Sequence, residues 1–265
     1  MPSATRRPRP RSYDLARTRT AVAAQLDNVR AAVRGLGEAE WERPTRLAGW
    51  DVRSLAAHVA FAVDSVAVRL AQPAPARQEL ALADWGQATV AFAAASQQAV
   101  REVEGADDPV ARLDSAAARF AELVEPEPAT RLLTTPVGAV RLDDYLVTRC
   151  VELAVHTDDL AAALGVDVPQ DRQNLAAAVR MLADTLATQA PGGSVEVRVP
   201  PFAVVQCVAG PRHTRGTPPN VVEAGPTAWL RLATGRTGWA EAVADAQVSA
   251  SGERADLSAL LPLLS

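Results

Sequence analysis

A glutamate and a histidine four positions apart, Glu152 and His156, offer the clearest chemistry in this sequence. Leucines recur at helical spacing around them, which predicts one long amphipathic helix from Arg141 to Gly165. Four residues on a helix correspond to about 40° of rotation and about 6 Å of rise, so both side chains project from one face. Carboxylate oxygens and imidazole nitrogens are preferred zinc ligands, and a metal site needs a third ligand from elsewhere in the chain.

The chain has three histidines, and His58 is the strongest candidate for that third ligand. Asp51 can cap a new helix, whose inner face is marked by apolar residues, namely Val52, Leu55, Val59 and Ala62. His58 adjoins this face and is therefore predicted to point into a bundle. Two histidines and a glutamate from two helices make a three-ligand site with an open position, which is typical of catalytic zinc. His213 lies in a polar segment and is predicted to be an exposed loop residue.

Spacing alone leaves a structural role open, because a histidine beside an apolar stripe is usually a core or boundary residue. Two longer segments add information: GWDVRSLAAHV and DYLVTRCVELAVHTDDLAAALG. They resemble the two signature blocks of the mycothiol-dependent maleylpyruvate isomerase family, which belongs to the DinB-like four-helix-bundle metalloproteins. The resemblance covers most of the first two thirds of the chain, and it is more specific for fold and metal than for substrate.

The resemblance implies that His58, Glu152 and His156 match the family's metal ligands, with zinc as the expected ion and mycothiol as the expected thiol. Asp159 matches a recurrent acidic position of the second block. One helical turn beyond a ligand, it is placed either to support His156 or to lie on a solvated face.

The C-terminal sequence WLRLATGRTGWAEAV resembles the sterol-carrier-like domain found in the same family. In that family an arginine of this domain helps to form the active site, and Arg236 in the ATGR turn is the matching candidate. Its planar guanidinium suits bidentate binding of a carboxylate or an anionic thiol conjugate. A surface arginine at a helix junction is the alternative.

The fold class predicted is α plus α+β: a four-helix bundle followed by a small α+β domain. Helices are predicted at about 14–34, from 52 onward, and at 83–103, 110–123, 141–165 and 172–189, with a short ribbon around Gly138. Pro191 and two glycines then stop the helical pattern, and SVEVRV alternates apolar and polar residues as a half-buried strand does. A partner strand, a short strand, two short helices divided at Gly235, a strand and a terminal helix from about Leu257 follow. The predicted divisions are a disordered arm at 1–12, a helical metal-binding domain at 13–190 and the α+β domain at 191–265.

Residue usage, net charge and the length of the apolar runs restrict the classes of function that this chain can have. All 27 basic residues are arginine, lysine and isoleucine are missing, and this codon bias fits a GC-rich actinobacterial source. A net charge of −4 argues against a general nucleic-acid surface. No run approaches the roughly 18 apolar residues that span a bilayer, so a cytoplasmic protein without membrane partners is expected. The oligomeric state stays open.

These observations predict a zinc-dependent enzyme that uses mycothiol. Zinc would lower the pKa of the thiol, and the thiolate would add to a small electrophilic substrate, with isomerisation or S-transfer as the outcome. Hydrolysis is chemically possible at the same ligands. Two alternatives are a lipid- or small-molecule-binding protein and a regulatory protein that responds to metal or thiol. The substrate itself is not predicted.

Overall fold

The computed structural model describes residues 11–90, 108–210 and 218–264, and these residues form two compact units. The bundle unit contains the described residues 13–82 and 108–177, and the sheet unit contains 11–12, 83–90, 178–210 and 218–264. Within the described ranges, no helix is both long and apolar enough to cross a membrane.

The described helices are, in chain order, α1 (Leu15–Val33), α2 (Glu38–Trp41), α3 (Val52–Leu70), α4 (Trp85–Val90), α5 (Pro109–Val124), α6 (Leu142–Leu164), α7 (Arg172–Gln189), α8 (Pro226–Ala233) and α9 (Trp239–Ala244). The strands are β1 (Leu132–Thr135), β2 (Gly138–Arg141), β3 (Val195–Val199), β4 (Ala203–Cys207), β5 (Val221–Ala224) and β6 (Val248–Ser251).

Four helices build the bundle unit, because α1 and α3 each pack against both α5 and α6. Their contact faces hold fully buried apolar side chains such as Leu26, Leu55, Phe120 and Leu146. Burial of such side chains is the main stabilising contribution to a bundle. The predicted four-helix bundle is confirmed. α3 begins at its predicted position, and both ends of the other three helices lie within one residue of theirs.

Local residues set the ends of the helices that matter for the site. Asp51 accepts a hydrogen bond from the backbone N–H of Ser54 at 2.7 Å and so caps α3 as predicted. Gly165 follows α6 in the left-handed conformation, with φ of 68°, which a glycine adopts without a steric cost. The antiparallel hairpin β1–β2 leads into α6 and confirms the ribbon predicted around Gly138.

The sheet unit contains a four-stranded sheet in the order β4-β3-β5-β6. β3 pairs antiparallel with β4 and parallel with β5, and β5 pairs antiparallel with β6. The buried residues Val195, Val197 and Val199 alternate with half-buried polar ones along β3, which confirms the predicted strand. The buried residues Trp229 and Leu230 of α8 contribute to the apolar core of this unit.

Two sequence-based predictions differ from the structure. The terminal helix predicted from Leu257 is wrong, since only a 3-10 turn, Ser258–Leu260, forms there. Leu261 is extended because it precedes Pro262, and a residue before proline is disfavoured in the helical region. The helix predicted at 83–103 starts with a 3-10 turn at Leu82–Asp84 and continues as α4, and its remainder lies outside the described residues.

The limits of the two compact units can be compared with the domain boundaries predicted from the sequence. Residues 1–10 of the predicted arm lie outside the described residues, and Arg11 forms an ion pair of 2.8 Å with Asp184 in the sheet unit. The units part inside α7, between Ala177 and Ala178, whereas the change from helix to strand comes after Ala190, where the sequence places its boundary.

Candidate metal centre

Three side chains from two helices of the bundle unit converge on one point. Oε2 of Glu152 lies 3.2 Å from Nε2 of His58 and 3.3 Å from Nε2 of His156. The imidazole rings meet edge to face, with centroids 4.7 Å apart. One possible ligand atom from each residue lies within 4.8 Å of the other two. The structure therefore brings together the three residues that the sequence singled out as metal ligands.

The position of each side chain follows from its helix. Glu152 and His156 are one turn apart on α6, so they share a face, and His58 adjoins the buried face of α3. The side chains of His58 and His156 are 16% and 9% exposed, whereas that of Glu152 is 33% exposed. The two histidines are accordingly the more enclosed members of the cluster, and the side chain of Glu152 is half-buried.

A buried carboxylate holds His156 in place. Nδ1 of His156 lies 3.1 Å from Oδ2 of Asp159, whose side chain is fully buried. A ligand histidine typically makes such a contact through its second ring nitrogen, which sets both its tautomer and its orientation. Nearby, Arg46 pairs with Asp158 at 2.6 Å and lies 3.9 Å from Oδ1 of Asp159, tying the loop before α3 to α6.

His58 is held in a different way. Its Nδ1 atom is buried and has no hydrogen-bond partner among the described residues. The indole of Trp50 packs against the ring, with centroids 5.1 Å apart and an interplanar angle of 62°. Apart from the contact of its Nε2 atom with Glu152, packing against Trp50 therefore orients this imidazole.

The electrostatic environment favours an ionised Glu152. Burial alone would raise the pKa of Glu152, but hydrogen bonds from His156 and His58 and the charge of Arg149 outweigh it, so this pKa lies well below its usual range. Burial lowers the pKa of His58. Burial also acts to lower the pKa of His156, yet its contacts with Asp159 and Glu152 prevail and raise it.

This donor set fits a divalent metal ion. Two imidazole nitrogens and one carboxylate oxygen are the ligand types found in catalytic zinc sites, and three protein ligands leave a position for an exogenous group. His58, Glu152 and His156 would be the ligands. The contact between His156 and Asp159 is the support that such a ligand usually has.

Sequence reasoning missed three residues around the cluster: Trp50, Arg46 and Arg149. Arg149 precedes Glu152 by three positions on α6, and this helical spacing was a signal that could have identified it. Trp50 lies inside the first signature block but was assigned no role. Arg46 had no sequence signal, because its contact with Asp158 joins positions far apart in the chain.

Three further residues complete the comparison with the sequence. Arg236 belongs to the sheet unit, where it follows Gly235 and its guanidinium donates a hydrogen bond to the carbonyl of Thr234 at 2.8 Å. His213 lies outside the described residues. Cys150 is fully buried on α6, and burial raises the pKa of its thiol, which makes it a poor nucleophile.

Fold and site together define a helical-bundle protein with a His/Glu metal-binding candidate and a separate α+β unit. The family model described as the mycothiol maleylpyruvate isomerase N-terminal domain matches residues 22–161, more than half of the chain. The chain belongs to this family. A second family model, described as a bacterial SCP ortholog, matches residues 171–263. The predicted family is thus confirmed, and the sequence matches none of the curated proteins compared.

Two solved structures share the fold. The crystal structure of the mycothiol-dependent maleylpyruvate isomerase is 16% identical to this chain, with a TM-score of 0.59. The structure of a histidine-to-alanine mutant of the mycothiol-dependent maleylpyruvate isomerase is 15% identical, with a TM-score of 0.60. Each match covers 92% of this chain and 95% of the other chain. At this identity the likeness establishes the fold alone, a helical bundle with an accompanying domain, and no activity.

Proposed function

We propose that this protein is a zinc-dependent enzyme that uses mycothiol to act on a small electrophilic substrate, by isomerisation or S-transfer. The observation that carries the proposal is the convergence of His58, Glu152 and His156 on one point at the inner face of the bundle. Membership of the family and the shared fold support enzymatic rather than purely structural use of these ligands.

Bound zinc supplies a positive charge that lowers the pKa of a thiol at the open position. The residues of the chain have three tasks around it. Glu152 provides a negative charge, since its pKa is held well below its usual range. Asp159 fixes the ring of His156, and Trp50 excludes water from one side of His58. The thiolate would form a bond to an electrophilic alkene carbon of the substrate while the carbon–carbon π bond breaks and its electron pair moves onto the substrate. Rotation about the resulting single bond followed by expulsion of the thiolate would give isomerisation, whereas protonation of the adduct with the thiol retained would give S-transfer.

Arg236 is proposed to bind an anionic group of the substrate or of the thiol conjugate. Its guanidinium always carries a charge, and its hydrogen bond to the carbonyl of Thr234 restricts its position. Steady-state kinetics of Arg236→Lys and Arg236→Met test this role. A bidentate anion contact predicts that both variants lose activity, because a lysine cannot form the planar fork.

Metal content and mycothiol binding are the first measurements. We expect elemental analysis to find about one zinc per chain, and calorimetry to detect mycothiol binding only in the zinc-loaded protein. His156→Ala should lose both properties and retain its helical circular dichroism. His213→Ala, which changes a histidine with no predicted metal role, is the matched control and should keep both.

A folded wild-type protein that holds no divalent metal and ignores mycothiol contradicts the proposal. Such a result favours a second candidate, binding of an apolar small molecule, for which the match to a bacterial SCP ortholog is the specific support. Mass spectrometry of organic extracts from the purified protein distinguishes the two, since a lipid carrier co-purifies with its ligand. The cytoplasmic location and an actinobacterial source stay predictions.

A further inference from the structure

The two carboxylate oxygens of Glu152 face different neighbours. Oε2 faces both histidines, whereas Oε1 lies 3.8 Å from Nη2 of Arg149. At this distance the contact is an ion pair rather than a hydrogen bond. The arginine comes three positions earlier on α6, so the charged groups lie on one face of the helix. Glu152 thus has one oxygen directed to the metal ligands and the other to a fixed positive charge.

Arg149 has little freedom to move away. Its side chain is 8% exposed. Nε and Nη2 donate to the hydroxyl of Thr148 at 3.2 and 3.1 Å, and Nη1 donates to the carbonyl of Ala62 on α3 at 3.3 Å. A guanidinium with these partners has little room to reorient. Arg149 is therefore a fixed cationic neighbour of Glu152.

The ring of Tyr145 supports the guanidinium. The guanidinium carbon of Arg149 lies 4.6 Å from the ring centroid, which is within cation–π distance. The phenol oxygen lies 2.7 Å from Oγ of Ser65 and accepts a hydrogen bond from Nε of Arg69 at 2.9 Å, both on α3. These contacts with α3 fix the ring of Tyr145, and the ring in turn limits where Arg149 can lie.

We propose that Arg149 is a positioning residue that makes Glu152 a one-oxygen ligand of the metal ion. Its attraction for Oε1 opposes a second bond from the same carboxylate. A coordination position therefore remains for the thiol. The inference rests on the proposed function, because it concerns the metal ion that His58, Glu152 and His156 would hold.

Cobalt(II) in place of zinc tests this role without any assay of activity. The intensity of visible cobalt absorption falls when the coordination number rises, so it reports whether the carboxylate binds through one oxygen or two. We expect Arg149→Met to lower this intensity about twofold or more. Arg149→Lys, which keeps the charge, should retain most of it. Metal affinity is a less direct readout, since removing the arginine also removes a like charge near the cation.

The matched control is Arg69→Met. Arg69 also lies over the ring of Tyr145, at 5.5 Å from its centroid. Its guanidinium donates hydrogen bonds to the hydroxyl of Tyr145 and the carbonyl of Thr134, and not to Glu152. This variant should keep the wild-type cobalt spectrum. If Arg149→Met does not fold, as judged by circular dichroism, Arg149→Gln provides the same test while retaining a polar group for Thr148.

A folded, cobalt-loaded Arg149→Met protein with the wild-type spectrum overturns this inference. An equal spectral change in Arg69→Met also overturns it, because the effect would then come from the ring support alone. A wild-type protein that binds neither cobalt nor zinc is a different outcome. It overturns the proposed function itself, and this inference with it.

Discussion

The two histidines of the metal centre are positioned by different interactions. His156 lies on the same helix as Glu152 and has a fully buried carboxylate, Asp159, behind its second ring nitrogen. His58 comes from α3, its second ring nitrogen has no hydrogen-bond partner in the part of the chain that the structure describes, and the indole of Trp50 packs against it. Both histidines contact Glu152, but His156 has a second polar partner in Asp159, whereas His58 has an aromatic packing partner in Trp50.

The centre is assembled from two helices. α6 alone supplies two of the three proposed ligands, Glu152 and His156, together with Asp159, and these residues are neighbours on consecutive turns. α3 supplies His58 through the packing of the bundle. We call His156 with Asp159 the polar half of the centre and His58 with Trp50 the apolar half. We expect metal binding to respond to changes of charge in the polar half and to changes of side-chain shape in the apolar half.

The largest effect on metal binding is expected from Glu152→Gln, because this carboxylate contacts both histidines. Loss of a charged ligand should lower zinc affinity by at least about 100-fold, more than the loss of a supporting residue does. Competition with a chromogenic chelator measures the change. Glu122→Gln, at an exposed position on α5, is the control and should bind zinc like the wild type. Wild-type affinity in Glu152→Gln would exclude this residue as a ligand.

A smaller loss is expected when the support of His156 is removed. Asp159→Asn should lower zinc affinity about 10- to 100-fold, because the ring loses the partner that sets its tautomer. Asp158→Asn is the neighbouring control: its carboxylate pairs with Arg46 rather than with His156, so affinity should change less than about threefold. Equal losses in the two variants would indicate a general effect of charge and not a specific contact.

The two histidines should also give opposite pH dependences of stability without metal. Contacts with carboxylates raise the pKa of folded His156, so its stabilising contribution is complete below the unfolded pKa and is lost as pH rises through the folded pKa. Burial lowers the pKa of folded His58, so its contribution is present above the unfolded pKa and is lost as pH falls through that value.

Thermal unfolding in chelator between about pH 5.5 and pH 8 tests this, since an unperturbed histidine titrates near pH 6.5. Relative to the double variant His58→Gln/His156→Gln, the single variant His58→Gln should lose stability as pH rises. His156→Gln should gain stability over the same range. Parallel curves for the two single variants would remove the distinction between the polar and the apolar half.

The smallest effect is expected at Trp50. Trp50→Leu should lower zinc affinity about three- to tenfold, since an edge-to-face aromatic contact contributes on the order of 1 kcal/mol. Trp50→Phe keeps an aromatic ring and should stay within about twofold of the wild type. Competition with a chromogenic chelator measures both. A larger loss in Trp50→Phe than in Asp159→Asn would reverse the order of the two halves.

Much of the bundle could be predicted from the sequence because its signals are local. The cap at Asp51, the left-handed glycine after α6 and the alternation along β3 each involve residues within a few positions of one another. The predicted terminal helix does not form for a similarly local reason, since Pro262 disfavours the helical conformation at Leu261.

The candidate site was predictable in part. Helical spacing puts Glu152 and His156 on one face, and the signature blocks pointed to His58 and Asp159. The position of Arg149 beside Glu152 was also predictable, because the two residues are three positions apart on one helix. The contact of Arg46 with Asp158 was not, because nothing in the residues between them indicates that they meet.

Local sequence specifies the part of the metal centre on α6, where rise and rotation per residue relate neighbouring side chains. Packing between helices brings His58, 94 positions before Glu152, to 3.2 Å from it and encloses Arg149 beside the carboxylate. The physical reason is that contacts between helices depend on the packing of whole faces, and no short segment of sequence specifies that packing.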